Sequence, residues 1–122
     1  MLKETIRVRQ IEGEDRRRWF SDRHFDLIVW YDADDHITGF QLCYDKTGQE
    51  HALTWREGQG FFHQLVDDGE NRAGRQKATP ILLADGVFDQ PRIAALFCRE
   101  SARMDQAAAE FVLEKIMNCR AG

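Results

Sequence analysis

The first places to look for chemistry in this chain are four histidines, three cysteines, one acidic cluster and one arginine-rich run. A histidine does metal or acid–base work only when partners stand at ligand or hydrogen-bond distance. His24 and His36 fall at strand ends or in a loop, where a solvated imidazole is expected. His51 lies two residues before Leu53 in strand-like text and is expected to hydrogen-bond Tyr44 at the rim of a core. His63 can share that face. No HxH, HxxxH or Cys/His spacing supplies a third ligand, so no metal is expected. Cys43, Cys98 and Cys119 are scattered and form no CxxC pair; they read as reduced thiols serving as small hydrophobes.

Paired carboxylates can share a proton or hold a cation, which draws attention to Asp67-Asp68-Gly69-Glu70. Asp-Gly after an apolar strand is first a turn signal, and the following Asn71, Arg72 and Ala73 do not continue a calcium loop. The run Arg16-Arg17-Arg18-Trp19-Phe20, with Arg23, mixes guanidinium and aromatic groups as single-strand nucleic-acid binders do. Glu14, Asp15 and Asp22 flank it, so a solvated, salt-bridged segment is expected. There is no GxSxG, GxxxxGK[ST] or GxGxxG, and Ser21 and Ser101 are the only serines. The reading therefore leans away from an enzyme, and no cofactor is expected.

A fifth group emerges only when strands are laid side by side. The first 90 residues carry apolar patterns of period two, and the last 32 carry helical ones, an order that predicts α+β with an antiparallel sheet. Residues 4–11, with Ile6 and Val8 alternating against arginines, predict a strand. Trp19 and Phe20 read as a short apolar island, either irregular or a brief edge strand. Residues 25–32, 37–45 and 50–56 predict a meander joined by Ala33-Asp34-Asp35-His36 and Lys46-Thr47-Gly48-Gln49. If both four-residue loops close simple hairpins, Asp32 faces Ile37 and Asp45 faces Glu50. Three rows then share one face: Phe25–Tyr44–His51, Leu27–Leu42–Leu53 and Val29–Phe40–Trp55. A slip of one residue in either register would scatter these groups over both faces, because side chains alternate with period two.

The reverse face carries Asp26–Cys43–Ala52, Ile28–Gln41–Thr54 and Trp30–Gly39–Arg56. It is too polar for a dry core and too apolar for a plain solvated surface. Ile28, Trp30, Gln41, Cys43, Thr54 and Arg56 are accordingly the candidate interaction or ligand-binding residues, with Trp30 lying over the bare backbone of Gly39. A further strand over 61–67 is apolar on both parities. A three-residue loop Glu57-Gly58-Gln59 would set His63 beside Leu53 and His51 beside Leu65, placing the two histidines on a diagonal. Residues 71–78 read as a polar loop and 81–88 as a short hairpin turning at Asp85-Gly86. A helix follows Asp89, with Pro91 in its first turn and Ile93, Leu96, Phe97 and Met104 at helical spacing. A second runs from about Asp105 to Asn118, with Ala108, Phe111, Val112, Ile116 and Cys119 on one side.

The whole chain, 1–122, is expected to be one α+β domain: a twisted antiparallel β-meander of five or six strands with two C-terminal α-helices packed on one sheet face. At 14.2 kDa it has room for one core. A net charge of −4 makes a poor general binder of nucleic acid or anionic membrane. No apolar run approaches the roughly 20 residues of a membrane span, and the first ten residues lack a secretion signal, so the cytoplasm is the expected compartment. The expected function is that of a small non-enzymatic interaction module. Its partner is another protein or a second copy, as a homodimer, on the mixed face; the alternative is a small-molecule binder or minor enzyme using the same face.

Overall fold

Strand text with large apolar groups at every second position builds a sheet with one side given over to the core. The computed structural model describes residues 1–5, 10, 12–48, 50–66 and 88–119. Six strands run β1 (Lys3–Glu4), β2 (Arg16–Ser21), β3 (Asp26–Tyr31), β4 (Ile37–Tyr44), β5 (His51–Arg56) and β6 (Gly60–Leu65). They form one open antiparallel sheet in chain order. Two helices follow, α1 (Gln90–Glu100) and α2 (Gln106–Asn118).

The meander has the register that its loop lengths demand. Leu27 pairs with Leu42 and Leu42 with Leu53, while Val29, Phe40 and Trp55 make the adjoining row. Leu27, Val29, Phe40, Leu42 and Leu53 are fully buried, and Phe25 and Phe20 join them. Ile93 and Phe97 of α1 and Val112 and Ile116 of α2 close over this face. The Phe25 and Phe97 rings meet edge-on at 5.8 Å, and Trp55 meets Phe111 at 5.4 Å. Each such large side chain contributes on the order of 1.5–3 kcal/mol through the area it removes from water. Gln90 fastens the two helices, donating from Nε2 to the carbonyls of Ile116, Met117 and Cys119.

Several local expectations are corrected. Trp19 and Phe20 are not an irregular island or an edge: they belong to β2, a full strand between β1 and β3. Alternation explains it, since Phe20 points into the core while the arginines of the same parity find acids. Arg16 reaches Asp35 at 2.6 Å, and Arg18 grips Glu4 at 2.6 and 2.8 Å and Asp105 at 2.8 Å. These hydrogen bonds hold the Glu4 and Asp105 carboxyls below their ordinary range. The run is thus salt-bridged as expected, but to acids remote in sequence, in place of the flanking ones.

Asp32 does not face Ile37. Its Oδ1 accepts the N–H groups of Asp34 and His36, and its own N–H donates to the His36 carbonyl. The aspartate thereby leaves the ladder, Tyr31 pairs with Ile37, and Thr38 becomes the extra residue of a bulge. The hairpin from β5 to β6 does take the three-residue loop, with His51 opposite Leu65 and Leu53 opposite His63. Gly58 and Gly60 hold the positive φ values, +82° and +91°, that this turn requires. Helix α1 stops at Glu100, so Met104 packs from the connecting turn and not from the helix. Asp105 caps α2, accepting from the Ala107 N–H. Of the expected first strand, 4–11, only Glu4 lies in a described strand, β1; most of 4–11 lies outside the described residues. So do the acidic cluster 67–70, the loop 71–78 and all of the hairpin 81–88 except Phe88.

Candidate functional site

Pleating sends the neighbours of the core residues to the opposite side of the sheet. On β3, β4 and β5 this delivers all six candidate residues to one face, in the rows Ile28–Gln41–Thr54, Trp30–Gly39–Arg56 and Asp26–Cys43–Ala52. Ile28, Trp30, Gln41, Cys43, Thr54 and Arg56 are all half-buried. The two flanking strands widen the face. β2 adds Trp19 beside Ile28 and Arg17 beside Trp30; β6 adds Phe62 beside Thr54 and Gln64 beside Ala52. Trp19 is 36% exposed, one of the few large apolar side chains so open. The sequence pattern does not reach these contributors, because Trp19-Phe20 reads as an irregular island or a brief edge strand and 61–67 is apolar on both parities. The signal for Trp19 was present, since Phe20 is fixed inward and its neighbour must point out.

Trp30 and Gly39 are direct partners, yet the space over Gly39 is filled chiefly from the other side. A Cβ at position 39 would lie 2.8 Å from Arg56 Cδ and 2.7 Å from the Trp55 carbonyl oxygen. The missing side chain lets the Arg56 stem lie flat across β4. Its guanidinium then rests on Trp30, with Cζ 4.5 Å from the ring centroid. Among the described residues Arg56 enters no ion pair, and neither the Gln41 nor the Thr54 side chain makes a hydrogen bond. At the far end of the face, Asp26 Oδ1 accepts from Ser21 at 2.8 Å and from Lys46 at 3.2 Å, while Oδ2 accepts no hydrogen bond from any described residue. The Cys43 thiol beside it is pushed up to about 12, first by burial and then by the Glu50 and Asp26 charges. A thiol so held stays protonated and is no nucleophile.

The histidines assemble elsewhere, on the core side of β5 and β6. The Tyr44 hydroxyl makes its 2.5 Å hydrogen bond to His63 Nε2, so the expected Tyr44–His51 bond is corrected. His51 instead stacks on the His63 ring, with centroids 5.1 Å apart and planes 5° from parallel. Diagonal placement across the β5–β6 pair brings the rings face to face. A metal ion lies in the plane of each imidazole that binds it. Two parallel rings therefore cannot aim at one ion without turning. Phe88 closes this cluster from the helix side, and burial pushes the Tyr44 hydroxyl well above its ordinary value. His24 sits 3.8 Å from Glu100 at the other end of the core. Asp32, Asp34 and His36 bring ligand atoms within 4.8 Å of one another. Asp32 Oδ1, however, is already committed to the turn.

No helix among the described residues is long and apolar enough to cross a membrane. No family model, curated protein or solved structure matches the chain.

Proposed function

We propose that this chain is a small non-enzymatic protein-interaction module whose binding surface is the second face of the sheet. One observation carries the reading. Gln41, Thr54 and Arg56 stand among Trp19, Ile28, Trp30 and Phe62, and among the described residues their polar heads make no hydrogen bond or ion pair. Polar groups that have no partner at home are satisfied by water or by another molecule. A tryptophan carrying a stacked arginine, ringed by aliphatic and amide groups, is the composition of an energetic centre in protein interfaces. The module is assigned to a reducing compartment, the cytoplasm. Three free thiols support that assignment: Cys43 half-buried, Cys98 exposed and Cys119 buried.

Hydroxyl-radical footprinting of the dilute monomer tests the surface directly. Trp19 and Trp30 should oxidise readily at low micromolar protein, and the fully buried Phe40 on the core face should not. If Trp19 and Trp30 are protected in a verified monomer, the chain covers its own face and the reading falls.

A further inference from the structure

The geometry points to a second copy of this chain as the occupant of that face, docked about a two-fold axis that runs across the strands along the row Trp19–Ile28–Gln41–Thr54–Phe62. The inference rests on the interaction reading above and names the partner.

Charge placement carries it. Arg56 starts on β5, but its guanidinium is carried across β4 to lie above Trp30 of β3. It makes no ion pair among the described residues. Asp26 lies on the same strand β3, four residues from Trp30 and on the other side of the central row. Its Oδ2 accepts no hydrogen bond among the described residues, because Ser21 and Lys46 both hold Oδ1. Within one chain the two groups are separated by roughly 13 Å of strand at 3.3 Å per residue, too far to pair. An axis along the central row exchanges the two outer rows. It sets each guanidinium against Asp26 of the second copy, and each Asp26 Oδ2 against a guanidinium, so one rotation makes two ion pairs.

The central row then meets itself, and its members suit that. Gln41 lies on the axis with its carboxamide unspent. An amide has both a donor and an acceptor, so two copies across a two-fold can each donate to the other. Ile28 and Trp19 meet their own counterparts as apolar contacts. The strands run nearly antiparallel across the interface, within the roughly 30° and about 10 Å spacing of aligned sheets. Five strands, over the six-residue length that β2, β3, β5 and β6 share, make a patch roughly 24 Å by 20 Å, and two such faces bury on the order of 1,000 Å². That area sits at the lower limit for specific association, so the dimer is reversible, in the micromolar range.

Light scattering and sedimentation over a dilution series, with circular dichroism to verify folding, test the arrangement. The wild type should pass from monomer to dimer in the micromolar range. Arg56→Asp should weaken association at least tenfold, Asp26→Arg likewise, and the double variant should recover most of the loss because the charges are exchanged. A second measurement survives misfolding of the Asp26 variant. Gln41→Cys in a Cys43→Ser, Cys98→Ser background should cross-link to its own copy with a short bis-maleimide. A wild type that stays monomeric to millimolar concentration overturns the self-association. A dimer indifferent to Arg56→Asp, or one that fails to cross-link at position 41, overturns the axis. Neither outcome touches the accessibility of Trp19 and Trp30, on which the broader reading stands.

Discussion

Gln41 and Leu42 are neighbours on β4, and they belong to two different materials. Leu42 faces two helices and is wholly buried; Gln41 faces the other way, half-buried, with its amide unspent. The same contrast runs along β3, where Leu27 and Val29 are sealed while Ile28 and Trp30 are only partly covered. The covered face spends its side chains on the fold. The other keeps tryptophan, arginine and amide groups that the fold does not consume. A sheet with one face committed to the core therefore leaves, at the steps between the core positions, side chains that the fold does not use.

The contrast is broken most severely by swapping the treatment of adjacent residues. Leu42→Ala should cost about 2–5 kcal/mol in urea unfolding, because it opens a cavity under both helices. Gln41→Ala should stay within about 0.5 kcal/mol of the wild type. Comparable losses at both positions would mean that the second face is also a structural core.

Gly39→Ala tests whether the second face is built to hold Arg56. The new methyl would press on the Trp55 carbonyl and on the arginine stem, with an expected loss of about 1–3 kcal/mol. The ring-current shift that Trp30 imposes on the Arg56 side-chain protons should shrink in the same variant. An unchanged spectrum would remove the flat-lying arginine from the account.

The smallest effect concerns the ion pairs that join β2 to β1 and to the start of α2. Arg18 holds the Glu4 and Asp105 carboxyls below their ordinary range. Groups with depressed folded-state values contribute stability that is fully present above the unfolded carboxyl range near 4. That contribution is lost as pH falls through the lower, folded values. Arg18→Gln should therefore lower stability at pH 7 by roughly 1 kcal/mol, a figure already discounted for the exposure of the two acids. The gap to the wild type should close below about pH 3. A pH-independent gap would assign Arg18 to packing over Phe20 and Tyr31 in place of charge.

Much of the meander was legible because hairpins are local. Two four-residue loops and a period of two were enough to set Leu27, Leu42 and Leu53 in one row, and the same arithmetic placed the six candidate residues together on the reverse. It failed at Asp32, whose side chain prefers the turn's N–H groups to the ladder, a choice that counting residues does not register. It failed again at Trp19 and Phe20. Three consecutive arginines look like the end of a strand until the acids that neutralise them are known, and Asp105 is 87 positions away.

The amino-acid sequence by itself determined the parity of each meander strand, the partners across its hairpins and the two amphipathic helices, because each depends on residues within a few positions of one another. Only the tertiary structure decided that Tyr44 bonds His63 while His51 stacks, and that β2 is an interior strand. The same is true of Arg56 lying across β4 onto Trp30. Those outcomes turn on which polar group finds a partner once distant segments meet. Polar contacts are short-ranged and directional, so no pattern of spacing along the chain encodes them.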